Sequence, residues 1–151
     1  MSKSKYVKRS DIWEYYSVDY NDSYTEEMDT EGLRVLKWSM FDSPDKLGSG
    51  KMFMESPPVH ILDQVYKENR VKGFIEIGYL SKSVADRMSI ASQHPYRLGK
   101  GVKLRCKNPT VRMKIVRGLI QYGIERIHIY NESIYFDTDN YIRKPELLTF
   151  L

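Results

Sequence analysis

The stretch "NPTVRMKIVRGLIQYGIERIHIYNESIYFDTD", residues 108–139, decides the fold class. Asn108 is suited to cap a helix, because its side-chain oxygen can accept from the first unsatisfied backbone N–H groups. Pro109 fits the first helical position, where its missing N–H costs nothing. Ile115, Val116, Leu119 and Ile120 recur at helical spacing and predict one buried apolar stripe. Gly123 stands where a helix ends and the backbone turns left-handed. The hydrophobic period then drops to two. "ERIHIY" and "SIYFDTD" read as strands of a hairpin joined through Asn131 and Glu132.

Working outward, "GVKLRC" (101–106) predicts a further strand, and "SKSVADRMSIAS" (81–92) a short helix or turn. "KGFIEIGY" (72–79) is β-like, with Ile75, Ile77 and Tyr79 expected on one face. "SPPVHILDQVYKEN" (56–69) predicts an amphipathic helix: Ser56 caps, Pro57 takes the first position, and Val59, Leu62, Val65 and Tyr66 face inward. "FDSPDKLGSGK" (41–51) is a turn-rich loop. Helices alternating with strands that end in a hairpin predict an α+β domain, a small mixed or antiparallel sheet packed by two main helices. The expected division is an N-terminal arm over 1–38, a domain over 39–139 and a Pro-broken tail over 140–151.

Charge sets the arm apart. Residues 1–10 carry four bases and no acid, and residues 11–31 carry eight acids and no base. The remaining 120 residues hold 20 bases and 12 acids. An acidic segment ahead of a basic body is expected to dock on that body, or on a neighbour's, by charge complementarity. Trp13, Tyr15, Tyr16 and Tyr20 lie within it and are the expected contacts, since aromatic rings with a polar tip suit interfaces. No apolar run approaches the roughly 20 residues of a membrane span. The basic start has no apolar stretch after it, which argues against a signal peptide. The single Cys106 excludes an internal disulfide framework and a cysteine-based zinc knuckle.

The order of these pieces resembles the zinc D-alanyl-D-alanine carboxypeptidase and L-alanyl-D-glutamate endopeptidase group, whose members share a fold with the hedgehog signalling domain. Small versions are common in bacteriophage genomes. The likeness covers roughly residues 39–139. "FDSPDKLGSGK" looks like the group's opening loop, and "VHILDQVYKEN" like its helix with Leu-Asp-x-hydrophobic. "FIEIGYLS" is similar to the strand end Ile-x-Ser-Gly-Tyr-Arg-Ser. "SQHPYRLGKGVKLR" is similar to Ser-x-His-x-x-Gly-x-Ala-x-Asp, with four extra residues between His94 and Gly101. The final helix, turn and hairpin resemble the segment ending in Phe-Ile-His-Val-Asp.

The resemblance implies a zinc ion held by His, Asp and His, with an open position for water. By position the first His is His94, the Asp falls on Arg105 and the last His on Tyr135. The substrate-binding Arg of the group falls on Leu80, and Glu132 lies near where some members keep a catalytic carboxylate. A guanidinium offers no lone pair and does not deprotonate in proteins. Tyrosine ligates metal only as phenolate, against an ordinary pKa of about 10. The expectation is a degenerate centre with no metal, no cofactor and no catalytic residues. Lys103 and Arg105 share a strand face and are expected to line the old cleft with Asp137 and Asp139, Arg105 pairing with one of these carboxylates.

Three function classes follow. The first is a non-catalytic, peptidase-derived protein built into a bacteriophage virion, as a capsid auxiliary or tail component, made in the host cytoplasm. Its partners would be other virion proteins or copies of itself, not a membrane, a nucleic acid or a small-molecule substrate. The second is a divergent zinc peptidoglycan peptidase with a rebuilt site, for example His94 with Asp137 or Asp139. The third is an intracellular regulatory or nucleic-acid binder, and for nucleic acid the basic residues lack any recognition motif.

Overall fold

The computed structural model describes residues 32–139 and 146–149 of the chain. After a 3-10 turn at Trp38–Phe41 come α1 (Ser49–Phe53), α2 (Ser56–Asn69), β1 (Phe74–Ile77), α3 (Lys82–Arg87) and α4 (Pro95–Leu98). β2 (Gly101–Arg105), α5 (Pro109–Gln121), β3 (Arg126–Ile129), β4 (Ser133–Asp137) and β5 (Glu146–Thr149) follow. The strands form one five-stranded sheet in the order β1-β2-β4-β3-β5. Every pairing is antiparallel except the parallel β3–β5 edge, so the sheet is mixed and the class is α+β.

Local chemistry accounts for the two long helices. Asn108 caps α5 by accepting from the backbone of Thr110 and Val111 at 2.9 and 3.2 Å. α2 begins one residue earlier than its sequence suggests. Ser56 is already helical, Glu55 is the cap residue and makes no side-chain cap bond, and proline in the first turn presets the backbone instead. Both helices lie on one face of the sheet. Val59, Leu62, Val65 and Tyr66 of α2 and Ile115, Val116 and Leu119 of α5 join Val102, Leu104, Ile127, Ile134 and Phe136 in the main core. A Cβ on Gly118 would stand 2.6 Å from a Val65 methyl, so a glycine lets the two helices approach this closely. Ile120 departs from its expected place in the stripe and is 51% exposed.

Two further departures shape the other face of the sheet. Ile75 and Ile77 were expected side by side, but the β1–β2 register shifts between them. Ile75 enters the main core, whereas Ile77 packs on a second cluster of Leu80, Val84, Ala85, Tyr96 and Tyr135. A bulge re-aims a side chain in this way. The segment from Leu80 to Leu98 thereby folds over the face that α2 and α5 leave open.

The core also takes in Leu33, Val35 and Leu36, which precede the boundary expected near residue 38. The cause is Asp63 of α2. Its buried carboxylate accepts from the backbone N–H groups of Arg34, Val35 and Leu36 at 2.8–2.9 Å. At the other end, β5 forms within the stretch expected as a tail and pairs Leu147 beside Ile127.

Candidate functional site

Strand register alone brings the sequence-predicted residues onto one face. Along β4 the alternation sends Ile134 and Phe136 to the helices and Ser133, Tyr135 and Asp137 to the opposite side. Three cross-sheet rows result. Gly101, Asp137 and Arg126 form the first, Lys103, Tyr135 and His128 the second, and Arg105 with Ser133 the third.

The first row is closed. Arg126 is 2% exposed and Asp137 is 0% exposed, and their side chains meet at 3.1 Å. Arg126 also donates to the backbone carbonyl of Asp139 at 3.1 Å. Asp137 accepts from the Asp139 backbone N–H at 3.1 Å and from the Tyr135 hydroxyl at 2.5 Å. Buried charges persist when they are paired and hydrogen-bonded in this way. Asp137 and Asp139, expected to line an open cleft, are instead interior groups, and one Asp139 oxygen has no hydrogen-bond partner.

The pairing predicted for Arg105 is overturned for the same reason. Arg126 occupies Asp137 from the neighbouring strand, so Arg105 turns outward to Glu132 at 3.4 Å. Arg105 and Glu132 are both substantially exposed, which makes this a rim contact of little energetic weight.

The second row carries an aromatic cluster. Tyr135 is buried edge-on against Tyr96, ring centroids 5.5 Å apart at 90°. His94 lies 4.4 Å from the Tyr96 ring and 5.9 Å from that of Tyr135, and His128 lies 5.2 Å from Tyr135 on the far side. Burial pushes the Tyr96 phenol well above its ordinary range, so it stays protonated. Lys103 extends over the Tyr130 ring, 5.1 Å from its centre, with Glu76 at 4.0 Å. Lys103 is thus a half-buried cation beside this aromatic cluster.

His94 sits here because of the residues that follow it. Its Nδ1 accepts from the Tyr96 backbone N–H at 3.0 Å, making it the cap of α4. Pro95–Leu98 form that single turn, which Gly99 closes with φ +71°. Leu80, where the resemblance places a substrate-binding arginine, is 3% exposed inside the apolar cluster. Cys106 is buried in the main core. The arm contacts expected at Trp13, Tyr15, Tyr16 and Tyr20 lie outside the described residues.

These residues do not fit a zinc ion. His94 spends Nδ1 on the helix cap, Arg105 carries no lone pair, and Tyr135 donates its proton to Asp137. Among the described residues no three His, Cys, Asp or Glu side chains converge on one point. No helix among them is long and apolar enough to cross a membrane. Sequence reasoning missed Arg126, Tyr96, Tyr130 and Glu76. Arg126 was within reach, because "RIHIY" alternates and a tight hairpin sets Arg126 opposite Asp137.

No protein-family model matches this chain, and no curated protein matches it.

Proposed function

We propose that the chain is a non-catalytic binding or building module derived from a zinc peptidase of the D-alanyl-D-alanine carboxypeptidase and hedgehog-like fold. The observation that carries this reading is the fate of the three ligand positions. Where the resemblance places the ligands stand His94, a helix cap, Arg105, an exposed arginine, and Tyr135, a tyrosine tied to a buried ion pair. The Arg126–Asp137–Tyr135 chain supports it further, because it fills the floor of the old centre with satisfied groups that need no ligand. Leu80 in an apolar cluster fits the loss of a substrate carboxylate site.

In this reading the module is a component of a bacteriophage virion, a capsid auxiliary or decoration protein or a tail protein. Its acidic, aromatic arm docks it to other virion proteins or to copies of itself. The virion context rests on the resemblance, and the docking role on the arm's charge and its aromatic residues. The test is hydrolysis of purified peptidoglycan sacculi with added zinc, followed by release of free amino groups. No release above a heat-denatured control is expected. Zinc-dependent release would overturn the proposal in favour of a rebuilt peptidase.

A further inference from the structure

Two stretches of opposite charge face each other in this sequence. Residues 11–31 carry eight acids and no base, and residues 87–124 carry nine bases and no acid. The structure shows what the second stretch presents. At its centre, α5 buries Val111, Ile115, Val116 and Leu119. Its outer stripe runs Thr110, Met113, Lys114, Arg117, Ile120 and Gln121, all exposed and three or four residues apart. Met113 is 54% and Ile120 51% exposed.

A solvated helix face is normally polar, with charges of both signs. This face joins two half-exposed apolar side chains to two cations, with no anion on the helix. Among the described residues neither Lys114 nor Arg117 takes part in a salt bridge. The pattern fits a partner that is acidic and aromatic. Nucleic acid would use the cations but leave Met113 and Ile120 without a role, since its affinity comes mainly from phosphate contacts.

The chain carries a segment of that chemistry, residues 11–31. Asp63 of α2 holds the backbone of residues 34–36, and a Cβ on Gly32 would stand 3.6 Å from the His60 ring. Residues 32–36 therefore lie against α2, which packs beside α5 on the same sheet face. Packed helices lie roughly 8–10 Å apart. Twenty extended residues reach roughly 65 Å, so the tether does not limit contact. A short tether raises the local concentration to about the millimolar range.

We propose that the acidic segment 11–31 docks on the outer face of α5 of its own chain. Trp13, Tyr15, Tyr16 and Tyr20 cover Met113 and Ile120, and the carboxylates lie beside Lys114 and Arg117. A virion partner would then meet the arm in competition with this helix. The inference rests on the reading of the arm as a docking element, and not on the loss of the metal centre.

The experiment uses the full-length chain with photoreactive benzoylphenylalanine in place of Met113. Equal amounts of isotopically light and heavy chain are mixed, irradiated and mapped by mass spectrometry. Cross-links into residues 11–31 within a single chain are expected. Their yield should fall roughly three- to tenfold in Lys114→Glu/Arg117→Glu, as two exposed ion pairs are reversed. Mixed light–heavy cross-links into 11–31 would overturn the intrachain proposal and assign the arm to a second copy. Cross-links elsewhere, or to co-purifying nucleic acid, would overturn docking on α5 altogether. None of these outcomes depends on zinc or on peptidoglycan cleavage, so they leave the test of the non-catalytic reading separate.

Discussion

Replacing Arg126 with Met keeps most of the side chain's bulk and removes its charge. Asp137 would retain the Tyr135 hydroxyl and the Asp139 N–H, but no counter-charge, at a position that is 0% exposed. The Asp139 carbonyl would lose its donor as well. Removing one partner of a buried pair costs about 3–5 kcal/mol, because the other charge is left uncompensated. For a domain of this size each kcal/mol moves the melting temperature by roughly 3–6 °C. Arg126→Met should therefore melt about 10–25 °C below the parent chain in a circular-dichroism scan. The triple variant Arg126→Met/Asp137→Leu/Tyr135→Phe removes all the polar partners together and should recover most of that loss, since a well-packed apolar replacement is often neutral. A single variant melting within about 3 °C of the parent would refute the view that this buried pair ties β3 to β4.

Three further outcomes follow. Asp63→Ala leaves three backbone N–H groups without their acceptor and should cost about 3–5 kcal/mol in urea unfolding, with limited proteolysis moving to the 33–36 segment. Gly50→Ala places a Cβ 2.3 Å from the Trp38 carbonyl and 2.8 Å from the Phe41 backbone, so a loss of about 3 kcal/mol is expected in the same assay. Burial holds Lys72 down to about 5, whereas the unfolded chain protonates it up to about 10.4. Between these values the unfolded state binds more protons, so Lys72 makes stability climb with pH over that window. Lys72→Met should flatten the climb in urea midpoints measured from pH 6 to 9, and an unchanged slope would count against it.

The α+β class was legible because residues 108–139 switch from helical to strand period across a glycine. The limits came from tertiary context. Ile120 fits the apolar stripe by spacing, yet it lies beyond the reach of the sheet and is exposed. Ile75 and Ile77 part company because a bulge, invisible to periodicity, separates them. Lys103 and Tyr135 share one sheet face, as alternation along paired strands requires. Arg105 does not reach Asp137 because β3, paired on the other side of β4, delivers Arg126 to it. The segment from Leu80 to Tyr96 left only short, weakly periodic runs in the sequence, and the packing of its few buried residues on Tyr135 depends on which face the sheet leaves open.

Metal stoichiometry bears on the whole reading. The purified full-length chain, dialysed against trace zinc and analysed by mass spectrometry, should hold fewer than about 0.1 zinc per chain, because His94, Arg105 and Tyr135 do not make a ligand set. A value near one zinc per chain, lost on Asp137→Asn or His94→Ala, would contradict the account and make these residues part of a working metal centre.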